Sequence, residues 1–430
     1  MKNVFVESTI PIKNKDIKWN FVMGLIHGTF FTGGQAFINP DTILPVFLNH
    51  FTISKILIGL SSTMMGSLGG IGNALPQLFV ANRLENKIRK IPILRIAITI
   101  RALCWLLISL ITYLFAIAQP NLTIFFLFFS LILFSIMGGI ANVPFLDIWG
   151  KALPSNLRGR FFGYRQLLGG VLAIGSGFIV KAILSNEEIH FPNNFVLLFS
   201  SGTIFLIISF IGLGSVKEPI SRDVHKNRLT FKDFLKKSFT ILKIDSNYRK
   251  FLYIEVLTGA GAMALPFYVL YAKDILKIKL EMVGVFLLAQ MLGNVLSNVL
   301  WAQISDRVNN KKVIQISTFL ALIVPLIALV TPKDKSIWFI LLFILVGFFI
   351  AGRKIGITNF ILDIAPPKDR PTYISLNGTF VLPVTIFPLI GGIIVQYISY
   401  NFLFIITMVA VLFGFILSLK LKDPRDEKDK

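Results

Sequence analysis

Twelve stretches of this sequence are each long and apolar enough to cross a bilayer, and that pattern decides what the chain can fold into. A spanning helix needs about 20 mostly apolar residues, because each residue rises 1.5 Å and the hydrocarbon core is about 30 Å thick. Stretches of that size run at 21–48, 56–81, 91–118, 122–150, 162–184 and 195–216, then at 251–272, 282–304, 313–330, 338–365, 373–398 and 402–419. Between the two groups of six lies a basic, polar stretch at 217–250, and a charged tail follows at 421–430. The expected fold is all-α and membrane-integral, with twelve transmembrane helices in two six-helix bundles. The bundles would span 1–216 and 251–420, joined by a central loop at 217–250.

Composition supports the same solvent. The chain is 54% hydrophobic and 15% charged, with a mean hydropathy of +0.74. Soluble chains carry about 25% charged residues, so this one has too few polar groups to wet the surface around so large an apolar content. Residues 1–20 are polar and carry Lys2, Lys13, Lys15 and Lys18, without the apolar core and cleavage site of a signal peptide. The first apolar stretch is therefore expected to stay as an anchor.

The net charge of +21 is a matter of placement, not of nucleic-acid binding, because the bases fall between apolar stretches and no nucleic-acid motif is present. Arg83, Lys87, Arg89 and Lys90 follow the second stretch, and Lys151, Arg158 and Arg160 follow the fourth. Arg307, Lys311 and Lys312 follow the eighth, and Lys368 and Arg370 the tenth. Three of the six alternate connections contain no Lys or Arg, and 186–194 carries two acids and no base. By the positive-inside rule both termini face the cytoplasm, and the expected location is the plasma membrane. In the central loop, Leu229, Phe231, Phe234, Leu235, Phe239 and Leu242 alternate with lysines. They form either a short amphipathic helix on the inner leaflet or a solvated linker.

The single cysteine, Cys104, makes no intrachain disulfide or cysteine metal site. The four histidines show no ligand spacing, so no metal and no cofactor are expected.

The halves repeat one another weakly. Asn82-Arg83-Leu84-Glu85-Asn86-Lys87 corresponds to Asp306-Arg307-Val308-Asn309-Asn310-Lys311, and Asp147, Pro154 and Arg158 correspond to Asp363, Pro366 and Arg370. The run from Trp301 to Lys312 resembles the loop signature of the major facilitator superfamily, and Arg158 to Arg165 resembles the loop after the fourth helix in many bacterial members. The first-half copy is degraded, with Asn82 in place of the acid.

This resemblance implies a secondary transporter in which helices one, four, seven and ten line a cavity, and in which the loop charges latch the halves as it rocks. In that scheme Asp306 sits near a helix N-terminus, where an anion is favoured. Arg307 would reach Asp363 and Arg83 would reach Asp147, with Lys311, Lys312 and Arg158 beside them. Glycines at 66, 69, 70 and 72 and at 169, 170, 175 and 177 fit close helix packing.

Ionisable residues inside apolar stretches are expensive and mark function. Asp41, Glu255, Arg353 and Lys354 stand out on the implied cavity helices. Arg353 is the deepest and needs an anion: Glu255, Asp41 or a substrate. That favours an anionic or zwitterionic substrate, or a salt bridge used in proton coupling, against a purely structural pair. Gln35, Asn142 and Asn359 are secondary polar candidates, with His27, Gln290 and Asn294. Arg101 is also deep, but reads as structural because the third helix is peripheral in the resembled fold.

No Gly-x-x-x-x-Gly-Lys-Ser/Thr phosphate loop exists, so a proton or ion gradient, or facilitated diffusion, is expected to drive movement of a small molecule. Efflux of lipophilic compounds on the same fold stays open. So do a membrane-embedded lipid-handling enzyme, for which no catalytic constellation can be defended, and a non-transporting receptor.

Overall fold

The structure is a computed structural model that describes residues 13–65, 89–219, 239–332, 337–366 and 369–423. Every regular element among them is helical. In chain order these are α1 (Asn14–Phe37), α2 (Ile43–Leu48), α3 (Lys55–Met65), α4 (Ile91–Phe115), α5 (Pro120–Ala152), α6 (Ser155–Ser185) and α7 (Asn193–Gly214). The second half holds α8 (Ser246–Gly259), α9 (Leu265–Asp274), α10 (Glu281–Arg307), α11 (Asn310–Val330), α12 (Trp338–Ile364), α13 (Arg370–Phe380), α14 (Phe387–Tyr397) and α15 (Tyr400–Leu419). Ten helical spans among the described residues are long and apolar enough to cross a membrane. The first two expected stretches are occupied by α1 with α2, and by α3. Arg83 and the glycines at 66–72 lie outside the described residues. Of the central loop, 239–244 is helical.

Among the described residues three of the stretches are broken, each beside a proline. Pro40 lacks an N–H and disfavours a helical residue before it. The Asn39 side chain closes the gap by accepting from the backbone N–H of Asp41 (2.9 Å) and Thr42 (3.0 Å), which restarts the helix as α2. A 3₁₀ turn at Ala260–Met263 separates α8 from α9, with Pro266 in the first turn of α9. Another at Leu382–Ile386 separates α13 from α14.

On α4 two stripes show how the helices meet their solvents. Leu94, Ile98, Trp105, Ile108 and Thr112 are buried at three- and four-residue spacing. Leu103, Leu106, Leu110 and Leu114 form an exposed apolar stripe, the face a bilayer covers.

The chain forms two compact units. The first takes the described residues of Met1–Phe37, Gly72–Ser176 and Phe191–Arg228, and the second those of Ile38–Ile71, Gly177–His190 and Leu229–Lys430. In the first, α1 packs on α7, and α4 on α5 and α7. Trp105 sits at its core with Phe134 and Phe199. In the second, α12 packs between α10 and α11, and α14 lies along α3. Phe286 stacks on Phe343 at 4.6 Å between α10 and α12, and Phe251 on Phe360 at 5.1 Å between α8 and α12.

Candidate functional site

The first unit holds a half-open cavity of about 300 Å³, at the lower limit for pockets that hold small molecules. Four helices bring polar side chains to it at one depth. Arg101 is ten residues in from Ile91 on α4, and Arg165 is ten in from Ser155 on α6. Asn142 is ten residues from Ala152 on α5, and His27 is thirteen in from Asn14 on α1. At 1.5 Å per residue each stands roughly 15–20 Å from the same end of the unit, near mid-depth of a hydrocarbon core. Phe31, Phe145 and Phe210 supply apolar wall between them.

The two arginines are held by rings instead of acids. The Arg101 guanidinium carbon lies 4.1 Å from the centre of the Phe134 ring, with Phe31 and Phe210 at 5.6 and 5.7 Å. Arg165 lies 5.4 Å from the Phe145 ring centre. Such contacts satisfy the face of a guanidinium and leave its N–H edge free. The Nε of both arginines is buried without a hydrogen-bond partner, and among the described residues no Asp or Glu lines the cavity. Gly28 makes the room for Arg165, because a Cβ there would overlap that side chain.

His27 is fixed by Ser209. The Ser209 hydroxyl donates to the His27 carbonyl (2.9 Å), and the same oxygen lies 2.7 Å from His27 Nδ1. Its one proton being committed, the hydroxyl accepts from Nδ1–H, which leaves Nε2 as the ring's second polar atom.

The second unit holds the charges singled out by the sequence, in a different setting. Arg353 on α12 is buried. Its Nη1 donates to Thr258 Oγ1 and its Nη2 to the Glu255 backbone carbonyl at 2.8 Å. The Glu255 carboxylate takes a hydrogen bond from Asn377 on α13 and feels the Arg353 charge, while its Oε2 has no hydrogen-bond partner. The space beside this group is about 10 Å³, room for one water and not for a solute. The α8 helix starts at Ser246, five residues before the apolar stretch does, so Glu255 stands about 14 Å in, deeper than the stretch alone implied.

The other candidates join neither cavity. Asp41 is buried in the α1–α2 break. Gln35 is half-buried on α1, and Lys354 is exposed on α12. Asn359 donates to Ser305 Oγ at 3.2 Å.

At the loop motif, Asp363 takes its hydrogen bond from Asn310 Nδ2 at 2.6 Å, and Asn310 in turn meets Ser305 Oγ at 2.6 Å. Asp306, Arg307 and Lys312 are exposed and Lys311 is half-buried, so Arg307 does not reach Asp363 here. A buried amide fits between helices at lower desolvation cost than a guanidinium does. In the first unit, Asp147 pairs with Lys151 (2.5 Å) and Lys90 (2.9 Å), and Arg158 donates to the backbone carbonyls of Leu153 and Gly150.

Sequence reasoning passed over Arg165 because the fifth apolar stretch begins only at Phe162. The helix begins at Ser155, which carries Arg165 from the edge of that stretch to about 15 Å along the helix. For Arg101 the signal was present: it continues the stripe of Leu94, Ile98, Trp105 and Ile108.

The Major Facilitator Superfamily family model matches residues 251–430. No curated protein matches the chain by sequence. Solved structures match along nearly all of it. The nucleoside transporter NupG is 11% identical, with 94% of this chain and 98% of that one covered and a TM-score of 0.66. A bacterial homologue of the iron transporter ferroportin, in its inward-facing state, is 14% identical over 96% and 99%, with a TM-score of 0.65. A POT family transporter in complex with 5-aminolevulinic acid is 14% identical over 95% and 97%, with a TM-score of 0.65. This chain thus has the major facilitator fold, with ten described helical spans long and apolar enough to cross a membrane.

Proposed function

We propose that this chain of the major facilitator fold is a secondary active transporter that moves a small solute by alternating access. The observation that carries the reading is the mid-depth cavity of the first unit, on which four helices converge polar side chains. A transporter's substrate site belongs at that depth, where neither face of the membrane has privileged access. The chain offers no phosphate loop for ATP, so a gradient supplies the work.

The group around Glu255 and Arg353 supports a proton as the coupling ion. It is too small for a solute, yet it buries a carboxylate with one free oxygen beside a cation. A proton arriving at or leaving Glu255 changes the net charge of that crevice, which is the local electrostatic event that biases a two-state element. The basic connections support a cytoplasmic position for both termini. The exposed Asp306 and Arg307 are then the charges that latch the closed cytoplasmic side, with Asn310 and Asp363 anchoring their loop to α12.

Cys104 being the sole cysteine, C104S gives a background for a single probe at position 142. In oriented vesicles, N142C is expected to react with a membrane-impermeant maleimide from one side at rest and from the other when a pH gradient is imposed. Reaction from one side under every condition would rule out alternating access and favour a receptor.

A further inference from the structure

The cavity's lining also selects the kind of solute it takes. Resting on the carrier reading above, we infer that the first unit binds a small organic anion, its acid group held by Arg101 and Arg165 and its apolar body by Phe31, Phe145 and Phe210. Two guanidinium groups reach one cavity of about 300 Å³ from different helices, with His27 and Asn142 beside them and no acid in the lining among the described residues. A buried cation normally has a carboxylate or a set of carbonyls to meet its N–H groups. Here the rings of Phe134, Phe31, Phe210 and Phe145 cover guanidinium faces, and both Nε atoms stay without acceptors. The missing partner is an acceptor with negative charge, and a guanidinium fork matches a carboxylate or phosphate bidentately.

The architecture keeps Arg165 in place at some expense to α1. Gly28 gives up helix propensity in the helix interior, and any side chain there would push Arg165 aside. His27 presents Nε2 as an acceptor, since Ser209 holds Nδ1–H, so it suits a donor group on the ligand and not the acid itself. The walls are apolar and aromatic, so an acid with a flat hydrocarbon body leaves less surface unsatisfied than a sugar does.

The test measures thermal stabilisation of the purified protein by five probes: benzoate, phenyl phosphate, the uncharged benzyl alcohol, the cationic benzylamine, and phosphatidylglycerol in mixed micelles. Benzoate or phenyl phosphate is expected to raise the melting temperature with concentration, and the alcohol and amine are not. R101Q and R165Q should each weaken that binding about ten- to hundredfold, the worth of a charged hydrogen bond. R101K, which keeps the charge and loses the fork, should fall between. R160Q, at an exposed position, should leave it unchanged.

Stabilisation by the alcohol or amine equal to that by the anions overturns the inference, and so does no response to either anion. Either result leaves the carrier reading intact, because that reading stands or falls on N142C accessibility alone. If phosphatidylglycerol displaces benzoate through the same two arginines, the ligand is a lipid headgroup and the soluble anion is refuted. The wild-type comparison decides the matter even where a variant fails to fold.

Discussion

Replacing Gly347 by alanine should destabilise the second unit, although alanine is the better helix former. Gly347 on α12 and Gly293 on α10 face one another's backbones. A Cβ on Gly347 would lie 2.6 Å from the amide nitrogen of Asn294 and closer still to the carbonyl of Gln290. A Cβ on Gly293 would lie 3.0 Å from the carbonyl carbon of Ile344. Ordinary contact begins at 3.4 Å, so G347A forces the helices apart by at least 0.8 Å at this crossing. The obstructing atoms are helical backbone and cannot rotate away. Separation would also loosen the Phe286–Phe343 stack at 4.6 Å. Overpacking of this kind costs about 1–3 kcal/mol, against a gain of about 1 kcal/mol in propensity on replacing glycine. The net is a loss of up to about 2 kcal/mol.

Gly175 on α6 is the matched control: nothing lies within 4 Å of its added Cβ. G175A keeps the propensity gain without the clash. Thermal unfolding in detergent should therefore rank G175A at or above wild type and G347A below it. A G347A protein as stable as G175A would show that the two helices do not meet backbone to backbone.

Three further outcomes follow from single contacts. Glu218 accepts from the backbone N–H of Lys90 and Ile91 at the start of α4, so E218A should lower stability by about 0.5–2 kcal/mol in the same unfolding assay, as loss of a helix cap does. Asp274 receives both Lys55 Nζ and the Tyr400 hydroxyl at 2.7 Å, so a double-mutant cycle of K55M with Y400F should show a coupling of about 0.5 kcal/mol or more, and an additive cycle would deny that Asp274 joins them. N310A removes the amide between Ser305 and Asp363 and should cost about 1–3 kcal/mol, whereas R307A at its exposed neighbour should cost almost nothing in stability.

The twelve stretches were legible because a bilayer imposes a length and a polarity on each helix, and both can be counted. Breaks in them were harder to see. Asn39-Pro40 was present in the sequence, yet a proline interrupts a helix only where something satisfies the freed backbone. That something is the Asn39 side chain turning back on Asp41 and Thr42. Helix starts were also misjudged, because apolar content locates the hydrocarbon and not the first helical turn. Ser155 and Ser246 begin their helices in polar sequence, where Asp245 supplies a cap by accepting from Tyr248 N–H at 2.8 Å. A shift of five to seven residues is about 8–10 Å of depth, enough to carry Arg165 from the edge of its apolar stretch to the level of the cavity.

A buried charge is read by its neighbours more than by its depth. Depth alone singled out Arg353, and depth is the same kind of fact for Arg101 and Arg165. What separates them is the company on neighbouring helices, which no single stretch of sequence contains. Arg353 meets a hydroxyl, a carbonyl and a nearby carboxylate, and its crevice is filled. Arg101 and Arg165 meet ring faces and open space. A cation with two donors engaged and a carboxylate nearby gains less from a ligand than one whose edge is bare in a low-dielectric cavity. Unmet hydrogen-bonding capacity, more than burial, is what separates the two arginines of the first unit from Arg353 in the second.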